Sequence, residues 1–218
     1  MRLLLWLLPL LCALSSPAHA AHPCPPTRNN HDWSAQCFEG SGAARRVKAQ
    51  YVRQITPKKA GVALISIEEN MELVAVDRRG RIVIPGIFFT GDFDYPTASG
   101  NRGRFTTAWR ADKGPDKCGY FIQSTFKIII PAVYDQCTPF HDGRANVCTN
   151  CDRYCTDEDC HDSVHVGGTG FTLGRDNKIL ATAPLPTLDT ICGGPGLAKI
   201  DKINRVLQCP PNPIPRTP

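Results

Sequence analysis

The sequence predicts an all-β protein in which tandem β-hairpin repeats stack into a continuous antiparallel array that disulfides staple together. Short glycine-led strands begin at Gly61, Gly103, Gly143 and Gly196, at steps of 42, 40 and 53 residues, and a recurrence of this size is typical of arrays of small supersecondary units. Runs of β-branched residues alternate with turn residues, as in hairpins. Ten of the eleven cysteines lie beyond residue 20, and an even number in an exported chain indicates disulfides.

Residues 1–20 are predicted to be a cleaved secretory signal peptide. Arg2 is the only charge, an apolar run extends from Leu3 to Leu14, and small residues at Ala18 and Ala20 mark the cleavage site. The run is shorter than the roughly 20 residues that span a bilayer, and no later segment is apolar enough to do so. We therefore expect an exported protein, periplasmic or secreted, with no membrane span after cleavage.

The next segment, residues 21–42, is polar and rich in proline, asparagine and glycine, and Cys24 and Cys37 are expected to staple it. Residues 43–55 carry apolar side chains at a helical spacing. However, Tyr51 precedes Gly61 much as Tyr134 precedes Gly143, and this correspondence favours extended structure there.

The hairpin unit is clearest after Gly61, where two β-rich runs flank a turn at Arg79-Gly80. Pro85 closes the second run. Because proline has no N–H to donate, we expect Pro85 to end the strand or to lie at a sheet edge. The predicted strands, including two later copies of the unit, cover 62–67, 73–77, 81–85, 118–122, 127–131, 170–173 and 178–180.

A single hairpin has too little apolar surface to persist in water. Neighbouring hairpins are therefore expected to stack and to bury a shared core. The side chains predicted to form it are Ile82, Ile84, Ile128, Ile130, Tyr134 and Phe140.

One stretch carries a family resemblance. Gly119-Tyr120-Phe121-Ile122 is followed by Lys127-Ile128-Ile129-Ile130-Pro131, Tyr134-Asp135, Pro139-Phe140, Gly143 and Ala145, and this succession over residues 117–147 resembles one WG repeat. Cys118 holds the place of the signature tryptophan there, and Thr169 holds it in a later copy. The resemblance implies a β-hairpin repeat protein of a kind often exported by bacteria, without a common catalytic site. On this interpretation residues 43–205 are degenerate WG-like repeats, and residues 206–218 form a Pro-rich C-terminal tail.

A Cys-rich insertion at residues 148–165 interrupts the repeats. We favour two short disulfides within it, because the predicted compartment is oxidising. The alternative is a zinc site, since thiolates and imidazoles can hold Zn²⁺ tetrahedrally; a redox-active pair and covalent haem fit the spacing less well. The candidate metal ligands are Cys148, Cys151, Cys155, Cys160, His161 and His165, and the other expected disulfides are Cys24–Cys37, Cys118–Cys137 and Cys192–Cys209.

Other patterns restrict the function. The net charge of +5 is mild and dispersed, which disfavours nucleic-acid binding, and no Gly-x-Ser-x-Gly, P-loop or complete calcium loop occurs. His141-Asp142 before Gly143 is interpreted as a polar turn. The aromatic residues Phe88, Phe89, Phe93 and Tyr95 are assigned to the core in preference to a binding strip, because large aromatic side chains are usually buried.

These observations predict an exported, non-catalytic binding protein of the bacterial envelope, with no cofactor. Its partner is expected to be a protein or an envelope component, and one specific form is a periplasmic inhibitor or immunity protein for an envelope-acting toxin. The alternative is a zinc-binding or redox protein that uses the Cys148–Cys160 cluster. A hydrolase is disfavoured because no site supports one.

Overall fold

The structure, a computed structural model, describes residue 24 and residues 33–69, 71–89, 94–107, 109–110, 114–201 and 205–210. The predicted signal peptide and residues 211–218 of the predicted tail lie outside the described residues. Strands in antiparallel sheets dominate, which confirms the all-β fold, and the α-helix α1 (Leu188–Ile191) is a single turn. None of the helices in the described part of the chain has the length and apolar character to cross a membrane.

The strands are short and follow one another along the whole described chain. In order, they are β1 (Phe38–Glu39), β2 (Arg46–Val47), β3 (Val62–Ile67), β4 (Glu72–Asp77), β5 (Ile82–Ile87), β6 (Arg102–Thr106), β7 (Trp109–Arg110), β8 (Gly114–Pro115), β9 (Cys118–Ile122), β10 (Lys127–Tyr134), β11 (Gln136–Cys137), β12 (Arg144–Thr149), β13 (Asp152–Cys155), β14 (Ser163–Val166), β15 (Thr169–Gly174), β16 (Ile179–Pro184), β17 (Lys199–Asp201) and β18 (Val206–Gln208).

Nine of these strands form three copies of one three-stranded antiparallel unit, which we call a meander. Meander 1 is β3-β4-β5, meander 2 is β6-β9-β10, and meander 3 is β12-β15-β16. The predicted hairpin is the second and third strand of each meander, and the glycine-led segments at 61, 103 and 143 supply the first strand. The repeating unit is therefore the glycine-led strand together with the hairpin. The predicted segment at Gly196 does not begin such a unit, because β17 pairs with β18 in the sheet of the Cys-rich insertion.

The recurring glycines serve two different needs. Gly143 has φ +81° and follows Asp142 at φ +47°, so the two residues form the tight turn that joins His141 to Arg144 by a reciprocal pair of hydrogen bonds of 2.8 and 2.9 Å. This geometry agrees with the predicted polar turn. Gly103 is needed for close approach instead, since a Cβ there would lie 2.5 Å from the Phe121 ring.

The meanders are distributed over two sheets. Meanders 1 and 2 join into a six-stranded sheet of order β10-β9-β6-β5-β4-β3, in which β5 meets β6 at the single pair Ile87 and Phe105. Meander 3 and β11 form a four-stranded sheet of order β11-β12-β15-β16. A further sheet, β14-β13-β18-β17, joins the Cys-rich insertion to the C-terminal strands.

Three clusters of buried apolar side chains hold the sheets together. The first surrounds Trp33 and Ile65 beneath meander 1, and the second surrounds Phe121 between meanders 1 and 2. The third surrounds Tyr120 and Leu173 and includes side chains from both large sheets, so it joins meander 2 to meander 3. Tyr120 is fully buried, and its hydroxyl donates a 2.8 Å hydrogen bond to the Thr138 carbonyl.

The predicted core is largely correct, with one clear error. Ile84, Ile130 and Phe140 are buried, and Ile82 and Tyr134 are half-buried. Ile128 is 39% exposed. The pairing of β10 with β9 shifts register between residues 128 and 130, and a bulge of this kind breaks the strict alternation of faces on which the prediction depended.

Three local expectations are corrected. Residues Ala49–Gln54 form a 3₁₀ helix and not extended structure, since Tyr51 and Val52 pack onto the first cluster from one turn. Pro85 lies inside β5, at a register shift against β4 where a ladder hydrogen bond is dispensable. The predicted C-terminal tail begins with a strand, because Val206–Gln208 pairs with β17.

Five cysteine pairs lie at disulfide distance. The partners are those favoured by sequence proximity, and the four cysteines of the insertion pair among themselves. The pairs are Cys24–Cys37, Cys118–Cys137, Cys148–Cys151, Cys155–Cys160 and Cys192–Cys209.

A buried ion pair links the chain between meanders 1 and 2 to the start of meander 3. Arg104 on β6 donates from Nε and Nη2 to the two carboxylate oxygens of Asp94, at 2.7 and 2.5 Å. Its Nη1 donates to the Cys137 carbonyl on β11, and its guanidinium lies 4.5 Å from the centre of the Phe88 ring. Asp94 is only 1% exposed, so Arg104 pairs with a carboxylate that is almost fully shielded from water.

Candidate binding groove

The sheet of meander 3 has one face in the core and one face open. On β12 and β15, Ala145, Val147, Phe171 and Leu173 belong to the third apolar cluster. The residues that alternate with them point to the opposite face, because successive side chains of a strand lie on opposite sides of a sheet. This opposite face, roofed in part by His165 and Leu185, forms an open groove of about 380 Å³.

The groove floor is built from two cross-strand rows. One row runs from Gln136 through Cys148 and Gly170 to Ala183. The other contains Asn146, Thr172 and Ala181 and begins at Thr138, whose N–H donates to the Asn146 carbonyl at 2.8 Å. Both rows end in alanine on β16, so little side-chain volume fills that end of the groove.

Some polar groups of the groove are paired and others are not. The Thr172 hydroxyl donates to Asn146 Oδ1 at 3.0 Å, and the Thr138 hydroxyl accepts from the Asn146 N–H at 2.9 Å. By contrast, Asn146 Nδ2, the Gln136 amide and the His165 ring make no hydrogen bond to any other described residue. The groove therefore offers a ligand solvent-accessible hydrogen-bonding groups that no described residue already occupies.

His165 reaches the groove from the Cys-rich insertion. It lies on β14 opposite Arg153 of β13 and lines the same groove as Gln136. Burial lowers the pKa of its imidazole, and the positive charge of Arg153 lowers that pKa further. At neutral pH the ring is therefore uncharged and can both donate and accept a hydrogen bond.

This lowered pKa predicts a pH dependence of stability. Below the ordinary histidine pKa of 6.5, His165 binds a proton in the unfolded chain more readily than in the folded protein. The free energy of unfolding is therefore highest above that pH and decreases as the pH falls. We expect the urea midpoint to drop between about pH 7.5 and 5.5, and the drop to be smaller in His165→Gln. His161→Gln is the control, since that exposed side chain should leave the wild-type slope; equal slopes for all three proteins would contradict the assignment.

The structure divides the six candidate metal ligands. The four cysteines form two disulfides. His165 lies opposite Arg153 in the β13–β14 hairpin. His161 lies in the loop beyond the other end of that hairpin, where Cys155 pairs with Ser163, and its side chain is 82% exposed. Among the described residues, no group of three or more histidines, cysteines or acids is arranged to hold a metal ion. A zinc thiolate site would first require reduction of both disulfides, and it stays an untested prediction.

The four aromatic residues that the sequence assigned to the core do not all lie there. Phe88 packs on the third cluster and Tyr95 packs on the second, as expected for core residues. Phe89 is 45% exposed, so its assignment to the core is wrong. Phe93 lies outside the described residues.

Comparison with known proteins bears on the repeats. The architecture is that of a β-repeat protein, and the family model described as WG containing repeat matches residues 121–150. This match confirms the resemblance predicted from the sequence and is consistent with a WG repeat-containing protein. It begins at the end of β9 and covers β10, β11 and β12, so the matched repeat extends from the last strand of one meander into the first strand of the next. No curated protein and no solved structure matches the chain.

Sequence reasoning did not find the groove. Gln136, Thr138 and Asn146 are ordinary polar strand residues, and nothing in their spacing distinguishes them from solvent-facing positions. The available signal was indirect. Val147 of β12 faces the apolar cluster, so the alternation of the strand places its neighbours on the open face. These neighbours are Asn146 and the candidate metal ligand Cys148.

Proposed function

We propose that this protein is an exported, non-catalytic binding protein whose ligand lies in the groove of meander 3. The observation that carries the proposal is the set of unpaired polar groups on Gln136, Asn146 and His165, held on a rigid sheet above small residues. Such a surface positions hydrogen bonds without a nucleophile or an acid–base pair. The match to a repeat family supports a binding role, and the five disulfides support an oxidising compartment outside the cytosol.

The groove chemistry restricts the ligand. Its lining combines amides, hydroxyls and an uncharged imidazole with apolar groups that include Phe171 and Leu185, and no Lys, Arg, Asp or Glu is among the described lining residues. We therefore expect a neutral, hydrogen-bonding segment of a protein or an envelope component. An envelope-acting toxin is one such protein partner, which would make this chain its inhibitor or immunity protein.

The test is recovery of a saturable partner from envelope extracts on the immobilised mature chain. Ala183→Tyr fills the groove, and Gln136→Ala removes one of its amides. We expect Ala183→Tyr to weaken binding at least about tenfold, which is ~1.4 kcal/mol. Val133→Tyr is the matched control, since Val133 is 52% exposed on β10 of the other large sheet. Failure to recover a saturable partner, or equal binding by Ala183→Tyr and wild type, would overturn the proposal.

A further inference from the structure

Strand β16 is the last strand of the repeat array, and its outer edge is open. It pairs with β15 on one side, and no other described strand pairs with it. All six of its residues are exposed. The equivalent strand of meander 1, β5, is covered at this edge by β6 of the next meander. In meander 3 the chain instead leaves the sheet for α1, so the position of a following strand is vacant among the described residues.

The hydrogen-bonding direction of residues 181–184 follows from the ladder. Leu185 N–H donates to the Gly168 carbonyl. Because antiparallel residues alternate between the two sides of a strand, Ala183 and Ala181 bond to β15, and Thr182 directs both its N–H and its carbonyl outwards. Pro184 also directs its carbonyl outwards and has no N–H. Before Ala181 the register against β15 shifts, so this alternation does not extend to Leu180.

The edge lacks the charges that usually protect such strands. Residues 179–184 contain no charged side chain, and Ile179 and Leu180 are 54% and 53% exposed. Long uncharged edges are templates for strand pairing. The edge strand β10 of the six-stranded sheet is partly occupied, because the Asn177 amide already bonds to the Ile129 carbonyl.

From this we infer that β16 pairs antiparallel with β16 of a second copy of this chain, which forms a two-fold dimer with a continuous eight-stranded sheet. Centring the pair on Thr182 lets the two Thr182 residues exchange N–H to carbonyl bonds. Residues 179–184 carry no charged side chain, so no like charges meet in this pairing.

The opposite end of the array excludes a head-to-tail arrangement. The outer edge of β3 is occupied, since Trp33 N–H donates to the Ser66 carbonyl and Glu68 N–H donates to the Trp33 carbonyl. A β16 strand cannot displace this contact without uncovering Trp33, which is fully buried. The isologous pairing, in which the same edge serves both copies, satisfies the outward groups of Thr182 and closes the assembly.

The test is sedimentation equilibrium of the mature, oxidised chain from about 1 to 500 μM, because pairing of one short strand should give a dimer of about micromolar Kd. Thr182→Pro removes the outward N–H and leaves the bonds to β15, so it should be monomeric throughout. Thr182→Lys keeps the N–H but sets two like charges opposite each other, and it should weaken the dimer at least about tenfold at low salt. Thr182→Val is the matched control and should dimerise like wild type.

Hydrogen exchange of the Thr182 amide identifies the interface directly. Its protection should rise with protein concentration in wild type and in Thr182→Val, while the Ala181 amide stays protected at every concentration. A wild type that is monomeric at 500 μM, or a dimer whose Thr182 amide exchanges freely, would overturn the inference. Pairing of β16 with a strand of a different protein would not rescue it. The groove proposal is independent of this outcome, because a monomer can still bind its ligand.

Discussion

Replacing Arg104 with methionine is expected to lower the free energy of unfolding by about 3–5 kcal/mol. The substitution keeps most of the apolar stem but removes the charge that faces Asp94, and Asp94 is only 1% exposed. It also removes the donor to the Cys137 carbonyl. The buried carboxylate then loses its bidentate cationic partner and the carbonyl loses a charged donor, and both losses are costly inside a protein.

Urea unfolding of the oxidised protein measures this loss. Arg46→Met is the control, because Arg46 and Glu39 form an ion pair whose side chains are 60% and 41% exposed, and such pairs contribute less than about 1 kcal/mol. Asp94→Asn combined with Arg104→Met should recover part of the stability, since no buried charge remains. A loss in Arg104→Met no larger than in Arg46→Met would show that the buried pair does not join the meanders.

Removing the Cys118–Cys137 disulfide by a double alanine substitution is expected to lower the free energy of unfolding by about 2–4 kcal/mol. The bond joins β9 to β11 within the third apolar cluster.

The matched control is the double alanine variant of Cys155 and Cys160. That disulfide closes a sequence separation of 5 residues, against 19 for Cys118–Cys137. In the chain-entropy account a shorter loop constrains the unfolded state less, and the loss should be clearly smaller. A larger loss at Cys155–Cys160 than at Cys118–Cys137 would contradict the assigned role of the core disulfide.

The sequence predicted the parts of the fold that local patterns encode. Runs such as 62–67 and 127–131 are rich in β-branched residues and are bounded by turns, so their strands were predictable. The turn at Asp142-Gly143 was predictable because both residues tolerate positive φ. The cysteine pairs follow from proximity along the chain, since each joins cysteines fewer than 20 residues apart.

Features that depend on contacts between distant segments were not predictable. Strands β13 and β18 meet in parallel at Cys155 and Val206, and neither strand has a sequence pattern of its own. The exposure of Ile128 depends on a bulge that only the partner strand reveals. The groove likewise exists because β12, β15 and the insertion come together, so its polar residues looked like ordinary solvent-facing positions.

The most direct test of the account is peptide mapping of the protein after alkylation without reductant, with metal analysis of the same sample. An exported, disulfide-stapled repeat protein should yield the five cysteine pairs of the structure, no labelled thiol among Cys24–Cys209 and no bound zinc. Labelled thiols at Cys148, Cys151, Cys155 and Cys160 together with one zinc ion per chain would contradict the account and establish the metal-binding alternative.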